Sequence, residues 1–288
     1  MAKVSFSAKW TNNTNAEFRA LGSAVSSAFQ TVLVKTTDTG QINWSTVINP
    51  AGNTAAGYEI YRFNDSLQST APIFLKIEYG MSDSGGRPAL WLTIGKGSNG
   101  AGSITNVLFA RDRIKAGMVS VASPGYMSNA DGSCLSVLYS SLSEPYGEHG
   151  GFLAIERSRD VNGYATGNAL LVTYQQFVGY STVTNVIDYA SGGVVIPSNG
   201  IWFAPFNLGV DVSIGFGSTT PFFTLCAISS TGFMWTPRCA VGVAQANLGA
   251  GSVVSNMFTG FDYVGGGDTI TKSDSAGNNY ASLALVYM

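Results

Sequence analysis

Charged side chains are scarce in this chain: they make up 11% of its 288 residues, whereas hydrophobic residues make up 45%. Ordinary soluble domains carry about 25% charged residues. Because a monomer needs polar surface in contact with water, the deficit favours either a membrane protein or a subunit that neighbouring subunits cover. The formal net charge of −2 gives no attraction to nucleic-acid phosphates or anionic lipid, so we expect neither as a partner.

Long apolar runs are also lacking. No run approaches the roughly 18–20 residues that a membrane-spanning helix requires, because glycine, serine, threonine, asparagine and proline interrupt each one. A transmembrane β-barrel would accommodate short strands, but the first six residues, MAKVSF, contain no apolar signal-peptide core. We therefore expect a protein that is made in the cytoplasm, is not inserted in a membrane and assembles with other chains.

Metal ligands and nucleophile motifs are few. The chain has one histidine, His149, and three cysteines, Cys134, Cys226 and Cys239, without a C-x-x-C spacing. This pattern argues against a zinc site, a catalytic metal with several histidine ligands and a disulfide framework. No G-x-S-x-G motif accompanies His149, so a Ser-His-Asp triad is not indicated and we expect a histidine in a surface loop.

Two weaker motifs also fail to indicate chemistry. Gly95–Gly100 (GKGSNG) matches G-x-G-x-x-G, but a dinucleotide site needs a helix next, and 103–109 has an extended pattern. Acidic pairs such as Glu144 with Glu148, or Asp268 with Asp274, could serve a glycosidase, yet any chain with 17 acidic residues contains such pairs. We predict no catalytic residue, no cofactor and no metal: the protein is not expected to be an enzyme.

One helix is predicted near the N-terminus. Thr14–Glu17 matches a capping box, and the predicted helix ends near Val34, before a turn signal at Asp38–Gly40. Its apolar stripe consists of Phe18, Leu21, Val25, Phe29 and Val32.

Most of the remaining chain is predicted to form short strands. Period-two alternation marks 73–79, 90–94 and 208–214, and shorter candidates lie at 134–139, 152–157, 169–178, 193–196, 222–228 and 281–287. Asp131-Gly132 and Asn162-Gly163 predict hairpins. The fold class is therefore mainly β, an antiparallel β-sandwich or barrel-like architecture with one N-terminal amphipathic helix. We divide the chain into a helix plus β region (1–110) and a β-rich region (111–288), which could also form a single domain.

The segment 189–261 is almost free of charge, with only Asp211 and Arg238, and it is rich in aromatic residues. Such composition is typical of the centre of a protein–protein interface. A large core whose outer surface carries serine, threonine and asparagine is the alternative. The predicted interface residues are Trp202, Phe206, Phe222, Phe223, Phe233, Trp235 and Phe258.

Four segments resemble the virion structural proteins of tailed bacteriophages: GYEIYRFND (57–65), APIFLKIEYG (71–80), LWLTIG (90–95) and FLAIERSRD (152–160). The resemblance covers 10–110 and 150–167 and carries no catalytic signature. It implies a protein synthesised in the host cytoplasm and located in the virion, in the tail.

Two functions fit these observations. The first is a structural subunit of the viral tail (ring, collar, baseplate or tip) that forms homo-oligomers and contacts other virion tail proteins. The alternative is an adsorption module for host attachment that binds a surface glycan or receptor through polar loops. Those loops are 81–88, 95–103, 129–133, 143–151 and 272–279.

Overall fold

The computed structural model of the protein describes residues 2–6, 14–40, 54–81, 88–116, 125–129, 131–139, 148–159 and 162–177, and ten short strands between 194 and 287. The elements in chain order are β1 (Ala2–Phe6), α1 (Asn15–Val32), β2 (Val34–Gly40), β3 (Thr54–Arg62), β4 (Phe74–Met81), β5 (Pro88–Ser98), β6 (Ile104–Ala116), β7 (Gly125–Asn129), β8 (Cys134–Tyr139), β9 (Glu148–Arg159), β10 (Ala165–Phe177), β11 (Val194–Val195), β12 (Phe222–Thr224), β13 (Ala227–Ile228), β14 (Met234–Trp235), β15 (Ala240–Ala244), β16 (Val253–Val254), β17 (Tyr263–Gly265), β18 (Lys272–Ser273), β19 (Asn279–Tyr280) and β20 (Ser282–Tyr287). A short 3-10 helix (Ser66–Ser69) lies between β3 and β4.

The strands form three larger antiparallel sheets. The N-terminal sheet has the order β2-β3-β4-β5-β6, the central sheet β1-β7-β8-β9-β10-β11, and the C-terminal sheet β12-β15-β20-β17-β16. Two two-stranded pairs, β13-β14 and β18-β19, complete the described strands. Strand β20 lies beside β7, β8 and β9, so the C-terminal sheet adjoins the central one. The predicted fold class, antiparallel β with one N-terminal helix, is confirmed.

Helix α1 begins and packs as its sequence predicts. The Thr14 side chain accepts a hydrogen bond from the backbone N–H of Glu17 (3.2 Å), which caps the first turn. All five predicted stripe residues are buried. The helix ends at Val32, because Leu33 is already extended, and β2 then runs through Asp38–Gly40, where a turn was predicted.

One hydrophobic core joins α1, the N-terminal sheet and the central sheet. Leu75, Ile77 and Tyr79 of β4 point into it, as their alternation predicts. Strand β5 differs from the predicted half-buried strand, because Trp91 and Thr93, on its opposite face, are also buried. The middle of the N-terminal sheet is therefore shielded on both faces.

Both predicted hairpin turns are present. Gly132 connects β7 to β8 with φ +84°, and Gly163 connects β9 to β10 with φ +81°. Such positive φ values favour glycine, which has no β-carbon. The predicted strand at 208–214 lies outside the described residues. The division at residue 110 stays a prediction; β6 continues through that position, and β1 pairs with β7.

Candidate interaction surface

The structure places three of the predicted interface residues in strands. Phe222 and Phe223 lie in β12, at one end of the C-terminal sheet, and Trp235 lies in β14 opposite Ala227. Trp202, Phe206, Phe233 and Phe258 lie outside the described residues. Whether these seven residues form an interface remains a prediction.

The five strands of the C-terminal sheet contain no charged residue. Their bulky residues are Phe222, Phe223, Tyr263, Leu283, Leu285, Tyr287 and several valines, and the rest are small or polar uncharged residues. A sheet of this composition is largely apolar and carries no charge.

In the N-terminal sheet, in contrast, a buried carboxylate connects the helix to several strands. Glu59 of β3 is 3% exposed and accepts hydrogen bonds from Tyr61 (2.6 Å), Tyr79 (2.8 Å) and Ser26 of α1 (2.9 Å). Lys35 of β2 lies 2.6 Å from the same carboxylate. One side chain thus ties the helix to three strands of the sheet.

Two opposing effects set the protonation of Glu59. Burial by itself would raise its pKa, but hydrogen bonds from Lys35, Tyr61, Tyr79 and Ser26 outweigh burial and hold the pKa below its ordinary value. Burial and the adjacent negative charge raise the pKa of Tyr61 and Tyr79. The cluster is therefore an ionised carboxylate among neutral phenols, which suits a structural joint.

A second buried charge joins the central sheet to the N-terminal sheet. Arg157 of β9 is 2% exposed and forms a bidentate pair with Asp65, one of whose bonds measures 2.8 Å. Its guanidinium also donates to the carbonyl oxygens of Ala71 (2.6 Å) and Thr166 (3.4 Å) and lies over the Phe63 ring. Because Asp65 and Ala71 belong to the β3–β4 connection, this arginine connects the central sheet to the N-terminal sheet.

A third charged group lies on the outer face of the N-terminal sheet. Arg111 is 46% exposed, donates to Glu78 (2.7 Å) and stacks over Trp91, with 4.7 Å from Cζ to the ring centroid. Arg111 lies in β6, an end strand of this sheet, and its ion-pair partner Glu78 belongs to the same chain.

The glycine-rich motif forms a hairpin rather than a nucleotide site. Gly95–Ser98 belong to β5 and the chain enters β6 at Ile104, so no helix follows the motif. A pyrophosphate site of the expected kind is therefore excluded, because it requires a helix N-terminus at that point. The predicted loop reading holds for residues 99–103.

Of the remaining histidine and acidic candidates, the structure describes Glu148 and His149. His149 and Glu148 lie in β9, opposite Gln176 and Phe177, so His149 occupies a strand and not the predicted loop. Glu144, Asp268 and Asp274 lie outside the described residues. Among the residues that the structure does describe, no three histidine, cysteine or acidic side chains are grouped as a metal site would require. No helix within the described ranges has the length and hydropathy to cross a membrane.

The sequence analysis did not predict that Glu59 and Arg157 are buried charged residues that connect elements of the fold. A weak signal exists for Glu59: in a strand it shares one face with the aromatic residue Tyr61, which the structure buries. Comparison of the chain with protein-family models, with curated proteins and with solved structures found no match.

Proposed function

We propose that the protein is a structural subunit of a larger assembly and acts through protein–protein contacts rather than through catalysis. The observation that carries the proposal is the contrast in charge: the C-terminal sheet has no charged residue, and 189–261 has two. Apolar surface without charge is stabilised by contact with other chains, at about 25 cal/mol per Å² buried. The resemblance to phage virion proteins favours a tail ring, collar, baseplate or tip as that assembly.

The expected partners are further copies of the chain and other virion tail proteins. Identical subunits usually associate with closed symmetry. Strand β12 is an end strand of the C-terminal sheet and contains Phe222 and Phe223, so it is a suitable element for such contacts. No nucleic acid, membrane or cofactor takes part in this proposal.

Charge insertion in the neutral region tests the proposal. We expect Phe222→Lys and Trp235→Lys to weaken self-association by at least about tenfold, because an unpaired charge in an apolar contact is costly. Sedimentation velocity measures the oligomeric state, and circular dichroism checks that the subunit remains folded. Tyr164→Lys is the matched control, because Tyr164 is an aromatic residue that is 72% exposed in the β9–β10 hairpin.

Three results would contradict assembly through this region. The unmodified chain could remain a monomer at high concentration, or both variants could assemble normally. Equal unfolding of both variants would instead indicate that the aromatic residues form an internal core.

A second candidate function is attachment to a host-surface glycan or receptor. The β5–β6 loop favours it, because Asn99, Gly100 and Ala101 are exposed while Gly102 and Asp38 beneath them are buried. Recognition commonly uses exposed loops on a rigid β scaffold. Binding of the purified oligomer to host cells or to a glycan array, and its loss in Asn99→Ala, would favour attachment over a purely structural role.

A further inference from the structure

The loop between β5 and β6 bends back across the N-terminal sheet to reach β2 at its far edge. Asp38 of β2 accepts hydrogen bonds from the backbone N–H of Gly102 (2.8 Å) and from the Ser98 hydroxyl. We propose that residues 98–103 form a strap that Asp38 latches closed, and that this strap opens as a local unit while the sheet beneath it stays folded. The inference is independent of assembly through the C-terminal sheet.

Internal hydrogen bonds make the strap one piece. The Asn99 side-chain oxygen accepts from the N–H groups of Ala101 (2.8 Å) and Ser103 (3.0 Å), and the Ser98 hydroxyl accepts from Gly100 (3.1 Å). The Asn99 N–H donates to the Ser103 carbonyl (3.0 Å). A loop that satisfies its own backbone groups can move without breaking up.

The attachment of the strap to the rest of the chain is polar and concentrated. In the part of the chain that the structure describes, its hydrogen bonds to strands other than β5 and β6 all end on Asp38. Its residues are Ser, Asn, Gly, Ala, Gly and Ser, and the single apolar side chain, Ala101, is exposed. Segments with little apolar contact open at lower free energy than the core.

Tyr58 provides the seat on which the strap rests. Its hydroxyl donates to Asp38 (3.2 Å), and the Lys76 amine lies 4.6 Å from its ring centroid. Gly102 has φ +87°, and a β-carbon there would lie 2.5 Å from the Tyr58 hydroxyl oxygen; Gly40 abuts the same ring. The ring thus fits between two glycines, and a methyl group at position 102 would lift the strap.

A bulge in β2 aims the latch at the strap. The β2–β3 register shifts between Lys35 and Thr39, and the Asp38 N–H donates to the Thr36 hydroxyl (3.3 Å). Four positions along β2 correspond to two along β3 there, and such extra residues bend a strand and redirect its side chains. Opening of the strap would uncover Asp38, which is 8% exposed, and the ring of Tyr58.

Amide hydrogen exchange of the full chain tests the strap. We expect the amides of Gly100, Ala101, Gly102 and Ser103 to exchange faster than those of Leu75 and Ile77 in β4. Asp38→Asn should accelerate exchange in the strap by about tenfold or more, since it weakens the latch, and leave β4 unchanged. If Asp38→Asn does not fold, Tyr58→Phe, which removes one hydroxyl, should give a smaller acceleration confined to the strap.

Two glycines provide a matched pair of variants. Gly100 and Gly102 both have positive φ, +76° and +87°, but only Gly102 has neighbours within reach of a β-carbon. We expect Gly102→Ala to accelerate exchange across the strap well beyond Gly100→Ala. Equal effects of the two variants, or strap amides that exchange only together with β4, would overturn the proposal.

Discussion

The first 160 residues and the last 128 use charge in opposite ways. The first region holds 25 of the 32 charged residues, and its buried charges Glu59 and Arg157 are paired inside the fold. The charged residues of the second region are seven: Asp188, Asp211, Arg238, Asp262, Asp268, Lys272 and Asp274. One part of the molecule is fastened by ion pairs, whereas the other contains a sheet without any.

This difference separates specification of the fold from association. A buried ion pair adds little net stability over an apolar pair, but removal of one partner is costly, so it selects one arrangement of helix and sheets. A neutral apolar sheet has no such selectivity, and its stability grows with the area that any partner covers. Under the proposed function, the N-terminal part folds into a defined arrangement by its own contacts, and the C-terminal sheet is the surface for association.

Removal of the Arg157 charge should have the largest effect on stability. Arg157→Met keeps most of the volume but leaves Asp65 without its cation, and we expect a loss of about 3–5 kcal/mol in the free energy of unfolding. Equilibrium urea unfolding measures it. The double variant with Asp65→Leu should recover part of the loss, because no unpaired charge remains. A loss below about 1 kcal/mol for Arg157→Met would contradict the claim that the Arg157–Asp65 pair holds the two sheets together.

Substitution of Glu59 should have a smaller, pH-dependent effect on stability. At pH 7 we expect Glu59→Gln to cost about 1–3 kcal/mol, because the amide cannot accept all four donors. The folded-state pKa of Glu59 lies below its ordinary value of 4.5, so its contribution is present above that value and is lost as pH falls through the folded pKa. The stabilities of variant and native chain should therefore converge as the pH falls below 4.5 and through the folded-state pKa.

Urea unfolding at several pH values between 7 and 3 measures this convergence. Tyr79→Phe is the matched control, since it removes one buried hydroxyl donor and keeps the carboxylate. It should cost about 1 kcal/mol at neutral pH. A constant difference between Glu59→Gln and the native chain over the whole pH range would mean that the carboxylate charge is irrelevant.

Local patterns predicted the helix and several strands, but not β1, β2, β3 or β7. The stripe from Phe18 to Val32 is buried as predicted, β8 occupies 134–139, and both hairpin glycines have positive φ. Each of these features depends on residues within a few positions of one another, and local periodicity records such relations directly.

Long-range relations could not be predicted from the same patterns. Arg157 meets Asp65 across 92 positions, and β1 pairs with β7. Asp38, predicted to be in a turn, instead latches a loop 64 positions later. Periodicity indicates which face of a strand is buried, but the partner of a buried charge is decided by how whole sheets pack.

The exposed ion pair of Arg111 with Glu78 sets the lower end of the comparison. It belongs to the same N-terminal sheet as Glu59, but water reaches the guanidinium, so we expect Arg111→Ala to cost under about 1 kcal/mol, including its stacking on Trp91. A double-mutant cycle with Glu78→Ala in urea, repeated in 1 M salt, isolates the pair; its coupling should shrink with salt because exposed charges are screened. A coupling energy as large as that of the Arg157–Asp65 pair would mean that pairing, rather than burial, makes a charge stabilise this fold.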